Sequence, residues 1–432
     1  MPECFTEIST CESGGEDLSC WWQRFEDPLL NDLIARAISC SPDLKIARER
    51  ICESRAIYRV EFSELLPHVD LGSFFQRTRN SQTLSDSAFV GGLFTNLYRL
   101  GFDATWELDI FGKNINKTQA AGYEVGASKQ EARDVQLTIV SEVAANYMTI
   151  RTLQHRIDIS TKHIDNEQEI VDLLQSRLDA GLSPGLDLET AKTLLYGERA
   201  LLPKLELELK QTIYSTAVLL GQNPETIATL FDERPAPLPQ AADILPDVLP
   251  SELLCRRPDV RQAELAMRAA GAKVLASRKE LFPTISLAGA YAYLSGFYKS
   301  WIIPESRNWN VSPFGSLPIF HGGEIWANID AQTSLQRQAV YNYEKSVLTA
   351  LKDVEDALVG YFKTKARIEE LTKKYNANVA ASELAKALYF AGVVDFLYVN
   401  DVDRDLFITH NTLAESEGNL VIYLVAIYKA LG

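Results

Sequence analysis

The chain carries an internal duplication, and this feature limits the folds that the sequence can adopt. Pro42-Asp43 recurs as Pro258-Asp259, and the segments that follow the two pairs align without a gap. The similarity resumes further along and reaches the last residue, since Leu220-Gly221 aligns with Leu431-Gly432. Two copies in one order predict two similar structural units, neither of which completes a fold alone.

The duplication and the local composition divide the chain into four segments. Residues 1–20 are polar, lack helical or strand periodicity and are expected to be flexible. Repeat 1 covers residues 21–221, and repeat 2 covers residues 251–432. Residues 222–250 between the repeats are rich in proline, which is typical of a linker.

The charge and the apolar pattern exclude several classes of protein. A formal net charge of -15 at pH 7 opposes nucleic-acid binding, because that binding needs clustered basic residues that displace phosphate counterions. No apolar run approaches the roughly eighteen residues of a membrane-spanning helix. If the protein crosses a membrane, we expect it to do so as strands.

The cysteines and histidines form no recognisable metal or catalytic motif. The six cysteines include no Cys-x-x-Cys pair, the five histidines are dispersed, and the motifs of hydrolases, phosphate-binding loops and zinc proteases are missing. The sequence therefore predicts no enzyme activity, no metal and no cofactor. Cys4 is a candidate for lipidation, although no apolar secretion signal precedes it; the alternative is an ordinary thiol in a tail.

Each repeat changes from helical periodicity to alternation after a proline. The alternation predicts strands at about residues 67–79 and 97–109 in repeat 1, and at about residues 283–295 and 309–320 in repeat 2. Aromatic residues gather along these strands. They fit either cross-strand packing in a soluble sheet or the aromatic girdle of a membrane barrel, and the alternation alone leaves both open.

A long helical pattern follows the strands in each repeat. Residues of one heptad series recur along it, namely Val143, Ile150, Ile157, Ile164, Val171 and Leu178 in repeat 1 and Val354, Tyr361, Ile368, Tyr375, Ser382 and Tyr389 in repeat 2. A strict heptad predicts supercoiled packing against neighbouring helices. Gly181 and Gly392 are expected to be left-handed residues that end these helices before a return helix. The sequence thus predicts two helical hairpins, with turns at about residues 180–187 and 391–398.

Six motifs occur in order along residues 21–432: Trp22–Pro28, Trp106–Gly112, Arg257–Glu264, Phe282–Leu287, Pro318–Gly323 and the ending Tyr428–Gly432. In this order and at these distances, they resemble the TolC-like outer membrane factors. The resemblance is closest to the lipoprotein channels that partner resistance-nodulation-division efflux pumps. The signal peptide, lipid-bearing cysteine and proline-rich stretch of that family are absent or shortened before Trp21.

The resemblance implies a mixed α and β membrane protein in the outer membrane of a Gram-negative-type bacterium. In such a homotrimer, each chain gives four strands to one twelve-stranded β-barrel and its helices to a long, coiled-coil-like periplasmic α-barrel. The implied partners are outer membrane lipid, a periplasmic adaptor protein and an inner-membrane pump. The strand count agrees independently, because four strands are too few to close a barrel and their edges must be paired.

The resemblance also implies a gate at the helical turns, which open when the pump and adaptor dock. The residues that match the gate are Leu397, Asp401 and Arg404, with Leu186 and Asp187 as weaker candidates in the first turn. Gly181, Gly392, Val393 and Asp395 are the candidates for adaptor contact. The alternative is that Asp401 and Arg404 form an ordinary surface pair that contributes about 0.3 kcal/mol.

Two other functions remain compatible with the residues. In the first, the protein is a water-soluble coiled-coil scaffold or adaptor whose heptads bind partner helices. In the second, the channel is a type I protein-secretion duct, since a wide conduit does not distinguish drugs from proteins.

Overall fold

A computed structural model describes residues 20–79, 94–233, 237–239 and 256–432. Cys4 and most of the proline-rich linker lie outside these residues. The helices are α1 (Pro28–Cys40), α2 (Pro42–Ser63), α3 (Lys113–Asp179), α4 (Gly185–Leu220), α5 (Pro224–Glu233), α6 (Pro258–Lys279), α7 (Glu324–Phe390) and α8 (Phe396–Leu431). The strands are β1 (His68–Arg79), β2 (Phe94–Leu108), β3 (Thr284–Ser295) and β4 (Arg307–Ser316). Short 3₁₀ turns occupy Trp21–Phe25, Tyr298–Ser300 and Pro304–Ser306.

The helices of the two repeats have equal lengths. Helices α2 and α6 each have 22 residues, α3 and α7 each have 67, and α4 and α8 each have 36. The strands occupy corresponding places between these helices. The mixed α and β fold built from two tandem structural repeats, predicted from the sequence, is confirmed.

The chain folds into two compact units, and both repeats contribute residues to each. Of the described residues, the helical unit contains those up to Glu49, those between Gln130 and Arg261, and Lys345–Gly432. The sheet unit contains Arg50–Lys129 and Gln262–Glu344. None of the helices in the described ranges has the length and apolarity that a bilayer crossing requires.

The sheet unit holds one antiparallel sheet with the order β1-β2-β3-β4. The central ladder joins the repeats, because β2 of repeat 1 pairs with β3 of repeat 2, with Phe102 opposite Tyr291. Among the described residues, no strand pairs with the outer edge of β1 or of β4. Both edges therefore carry unpaired backbone groups in the single chain.

The register separates the side chains of the sheet into an apolar face and a polar face. The apolar face carries Val69, Leu71, Phe75, Tyr98, Leu100, Phe102, Trp106, Ile285, Leu287, Tyr291, Tyr293, Trp309 and Val311. The polar face carries Asp70, Gln76, Arg99, Asp103, Glu107, Ser286, Asn308, Asn310 and Ser312, with Phe74, Leu97, Leu294 and Phe314 as apolar exceptions. Ser73, Arg77 and Arg307 are polar exceptions on the apolar face. Many residues of the apolar face are exposed in the single chain, including Leu71, Phe75, Trp309 and Val311.

Two strand boundaries differ from those predicted. Strand β2 begins at Phe94, before the predicted start at residue 97, because Phe94 pairs with Arg79 at the end of β1. Strand β4 covers residues 307–316, so the predicted extent of 309–320 was wrong at its end. Ser316 pairs with Thr284, the first residue of β3, and Pro318 beyond it has no N–H to donate to a ladder.

The first part of the predicted linker is a helix, which corrects the expectation that residues 222–250 are only a connection. Helix α5 begins at Pro224, and the Asn223 side chain accepts a hydrogen bond from the Glu225 N–H over 3.1 Å. Ile227 and Phe231 lie one turn apart and are fully buried. The apolar pair holds this segment against the helical unit despite its proline content.

Two apolar clusters form the core of the helical unit. The large core cluster includes Leu30, Leu33, Ile34, Val143, Tyr147, Ile150, Leu220, Val354, Tyr361 and Leu431. The small core cluster includes Ile164, Val171, Leu174, Leu188, Leu195, Ala385, Phe396 and Val399. All twelve positions of the heptad series are buried or half-buried. Packing of the long helices along this stripe is therefore confirmed.

Candidate functional site

Both hairpin turns use the same backbone arrangement. Gly181 and Gly392 have φ of 71° and 74°, in the left-handed region that glycine adopts without a steric penalty. The next residue donates its N–H to a carbonyl in the last turn of the long helix, over 2.8 Å for Leu182 and 3.0 Å for Val393. This is the Schellman motif. The left-handed glycines predicted from the sequence are confirmed.

Asp187 links the turns of the two repeats. It lies in the first turn of α4, where the helix dipole favours a negative charge. Its Oδ2 atom accepts hydrogen bonds from Ser183 Oγ over 3.1 Å and from the Tyr389 hydroxyl over 3.2 Å. Since Tyr389 belongs to the end of α7, the second bond joins the α3–α4 hairpin to the α7–α8 hairpin.

The ring of Tyr389 is held by two further contacts. The guanidinium carbon of Arg177 lies 5.4 Å from the ring centroid, within the range of a cation–π contact. The Phe396 ring lies 5.5 Å from it, edge to face. The sequence analysis named Asp187 as a weaker gate candidate and Tyr389 as a heptad residue, but it did not relate the two. A tyrosine at the last heptad position before a turn was the available signal.

Leu397, Asp401 and Arg404 lie on one face of the first turns of α8, as their spacing requires. This stripe is exposed in the single chain, and Leu397 keeps 56% of its accessible surface. Asp401 Oδ1 lies 3.0 Å from Arg404 Nη2, so the two residues form an ion pair within one helix. Leu186, the corresponding leucine of the first turn, is 75% exposed.

The candidate adaptor-contact residues occupy the two turns. Asp395 caps α8, because its carboxylate accepts a hydrogen bond from the Tyr398 N–H over 3.2 Å. Leu182 and Val393, which follow the left-handed glycines, are exposed apolar side chains. Exposed apolar residues at both turns form a surface that a partner can cover.

Three acidic side chains are buried beside the small core cluster, with a histidine and a lysine that are only partly buried. We refer to Glu167, Glu198, Asp403, His163 and Lys386 as the acidic layer. The three acidic residues are 2%, 3% and 2% exposed. Lys386 Nζ lies 3.1 Å from Asp403 Oδ2, and His163 Nδ1 lies 3.3 Å from Glu198 Oε1. The sequence does not predict the acidic layer, because its residues come from four helices and the histidines form no motif.

The pKa of Glu167 is raised to about 7, first by burial and then by the negative charges of Asp403 and Glu198. His163 and Lys386 oppose the rise. Desolvation dominates because an ionised carboxylate loses its hydration when it leaves water. Within the described ranges, no group of three or more His, Cys, Asp or Glu residues is arranged to hold a metal ion.

Comparison with known proteins identifies the family. A family model described as "Outer membrane efflux protein" matches residues 33–222 and 249–432. The chain belongs to the outer membrane efflux protein family. It is 31% identical over 414 residues to the solvent efflux pump outer membrane protein SrpC of Pseudomonas putida, covering 94% of this chain and 86% of SrpC. It is 29% identical over 422 residues to the cation efflux system protein CusC of Escherichia coli K12, covering 95% of this chain and 88% of CusC.

The fold of this outer membrane efflux protein also matches solved structures. The outer membrane channel OprN aligns with a TM-score of 0.92 and 29% identity over 100% of this chain and 96% of OprN. The family resemblance and the outer membrane location predicted from the motifs are confirmed, and the water-soluble scaffold is set aside. The relatives are transport proteins rather than enzymes.

Proposed function

We propose that three copies of the chain form a passive outer membrane channel for substrates that an inner-membrane pump and a periplasmic adaptor deliver. The four strands of each chain join in one twelve-stranded barrel, and the long helices form the periplasmic conduit. The pump supplies the energy and selects the substrate. The names of the relatives support this division, since SrpC serves solvent efflux and CusC serves cation efflux on one scaffold.

The four-stranded sheet gives the strongest support for a barrel made by three chains. One face is apolar and largely exposed, the other is polar, and the outer edges of β1 and β4 pair with no strand among the described residues. A barrel made from three such sheets pairs every edge, places the apolar face against lipid and places the polar face in a water-filled lumen. Aromatic residues such as Tyr98, Trp106 and Trp309 then supply the interfacial girdle.

The gate of this channel is proposed to lie at the hairpin turns. The Tyr389 to Asp187 hydrogen bond joins the two hairpins within one chain and must break if they separate. Asp401 and Arg404 pair within α8. In the trimer, we propose that they exchange this pairing for bonds to a neighbouring helix, while Leu397 narrows the pore. Adaptor docking on the exposed turn residues would release these links.

Adjacent residues of β4 provide a matched test of the barrel. Val311 lies on the apolar face and Ser312 on the polar face, and both are exposed in the single chain. An arginine on a lipid face is destabilising, by about 2–4 kcal/mol at the bilayer midplane and by less toward the interfaces, whereas a lumen position tolerates it. Val311→Arg should therefore reduce membrane-assembled channels, and Ser312→Arg should assemble normally but change conductance in planar bilayers. Equal assembly of the two variants would contradict the barrel.

A further inference from the structure

The acidic layer lies where the two hairpins meet. Glu167 belongs to α3 and Glu198 to α4 of the first hairpin, whereas Lys386 belongs to α7 and Asp403 to α8 of the second. The Glu167 carboxyl is electrostatically coupled to Asp403, Glu198, His163 and Lys386, which are the charged groups that face it from all four helices. A change in its charge therefore acts on both hairpins at once.

Repeat 2 has uncharged residues at the positions that correspond to Glu167 and Glu198. Because the paired helices have equal lengths, Glu167 corresponds to Asn378 and Glu198 corresponds to Thr409. Asn378 Nδ2 donates hydrogen bonds to Thr409 Oγ1 over 3.0 Å and to Asp405 Oδ2 over 3.1 Å. Repeat 1 places two carboxyl groups at the positions where repeat 2 has this amide and hydroxyl pair. Two buried carboxyl groups at such a position do not both ionise without strong repulsion.

The partners available in the layer do not compensate three negative charges. Ser382 Oγ donates to Asp403 Oδ1, and Lys386 Nζ lies 3.1 Å from Asp403 Oδ2, so both oxygens of Asp403 have a partner. Neither Glu167 Oε2 nor the oxygens of Glu198 accept a hydrogen bond from any described group. A protonated Glu167 gains an O–H donor that an ionised one lacks. The neutral form is therefore the one that this packing accommodates.

We propose that Glu167 is a proton-sensitive latch between the hairpins: its neutral carboxyl permits close packing of α3 and α4 against α7 and α8, and its ionisation beside Glu198 and Asp403 loosens that packing. The inference rests on the proposed function, since the hairpins that the latch joins are those proposed to open at the turns. It adds a control by pH at a position within the helical wall, distinct from the residues at the turns.

The repeats supply the variant that tests the latch. Glu167→Asn with Glu198→Thr transfers the neutral pair of repeat 2 into repeat 1, and Glu167→Gln is a milder variant if the double substitution does not fold. Glu169→Gln removes an exposed carboxylate nearby and is the control. Amide hydrogen exchange of the detergent-extracted protein is compared between variants at equal pH, so that the intrinsic pH dependence of exchange cancels.

At pH 8, ionised Glu167 should outnumber the neutral form about tenfold, since its pKa is about 7. We expect the ratio of amide exchange rates around the layer in α3 and α8, wild type over double variant, to rise at least about tenfold from about pH 4 to pH 8, since the stabilisation by neutral Glu167 is complete only below its ordinary pKa of 4.5. The Glu169→Gln control should follow the wild type. Equal exchange of wild type and double variant at both pH values would overturn the latch.

The proposed channel is tested separately by single-channel recording of the same samples. If amide exchange depends on pH as expected but no conductance is recorded, the latch is supported and the channel is contradicted. Conductance with exchange that does not differ between the variants would retain the channel and remove the latch.

Discussion

Removal of one oxygen atom from Tyr389 should destabilise the closed hairpin turns. Tyr389→Phe deletes the 3.2 Å hydrogen bond to Asp187, but the ring keeps its contacts with Arg177 and Phe396. A hydrogen bond contributes a net 0.5–1.5 kcal/mol or so, and about 1 kcal/mol is reasonable here because the half-buried Asp187 is partly hydrated. The substitution should therefore favour opening by about that amount in each chain.

The effect grows if the three chains open together. Three lost bonds amount to about 3 kcal/mol, which corresponds to a change of roughly 150-fold in the ratio of open to closed channels. Single-channel recording in planar bilayers measures this ratio directly. Tyr196→Phe, at an exposed tyrosine of α4, is the control and should behave as the wild type. An open probability of Tyr389→Phe within twofold of the wild type would refute the link between the hairpins.

Three further predictions concern the turns and the acidic layer. Asp401→Ala or Arg404→Ala should raise pore conductance or antibiotic leakage, and unchanged conductance in both would remove them from the gate. The pKa of Glu167 in the folded protein, about 7, exceeds its ordinary value of 4.5. The contribution of neutral Glu167 to the free energy of unfolding is therefore complete below pH 4.5 and is lost as the pH rises toward 7. In urea unfolding, the free energy of unfolding of the wild type should fall by up to about 3 kcal/mol over this pH range, and that of Glu167→Gln should not fall for this reason. Equal pH dependence in both proteins would contradict the raised pKa of Glu167. Gly181→Ala should lower the free energy of unfolding by about 1 kcal/mol, because φ is 71° and no atom lies within 4 Å of the new methyl group. Gly185→Ala, at a helical position, is the control and should lower it by nothing. Equal losses in thermal unfolding would rule out backbone strain as the cause.

The parts of the fold that depend on local patterns could be predicted from the sequence. The left-handed Gly181 and Gly392, the heptad stripe and the alternation along β3 each follow from residues close together in the chain. Helix α5 was missed because the prolines around it outweighed the short apolar pair, Ile227 and Phe231.

The parts of the candidate site that join distant segments could not be predicted in this way. Tyr389 and Asp187 belong to different repeats, and no local pattern relates them. Glu167 did carry a signal, because it lies one turn from both Ile164 and Val171 on the apolar stripe, where a carboxylate is unusual. Its partners Glu198 and Asp403 come from other helices, so only the packed structure shows the acidic layer.

Three chains are proposed to close one channel, and the shape and mass of the purified particle test this proposal. Negative-stain imaging of detergent-extracted protein, with its mass measured by light scattering, gives symmetry and copy number together. We expect three-fold particles with the mass of three chains. Single chains, two-fold particles or protein that needs no detergent would contradict it.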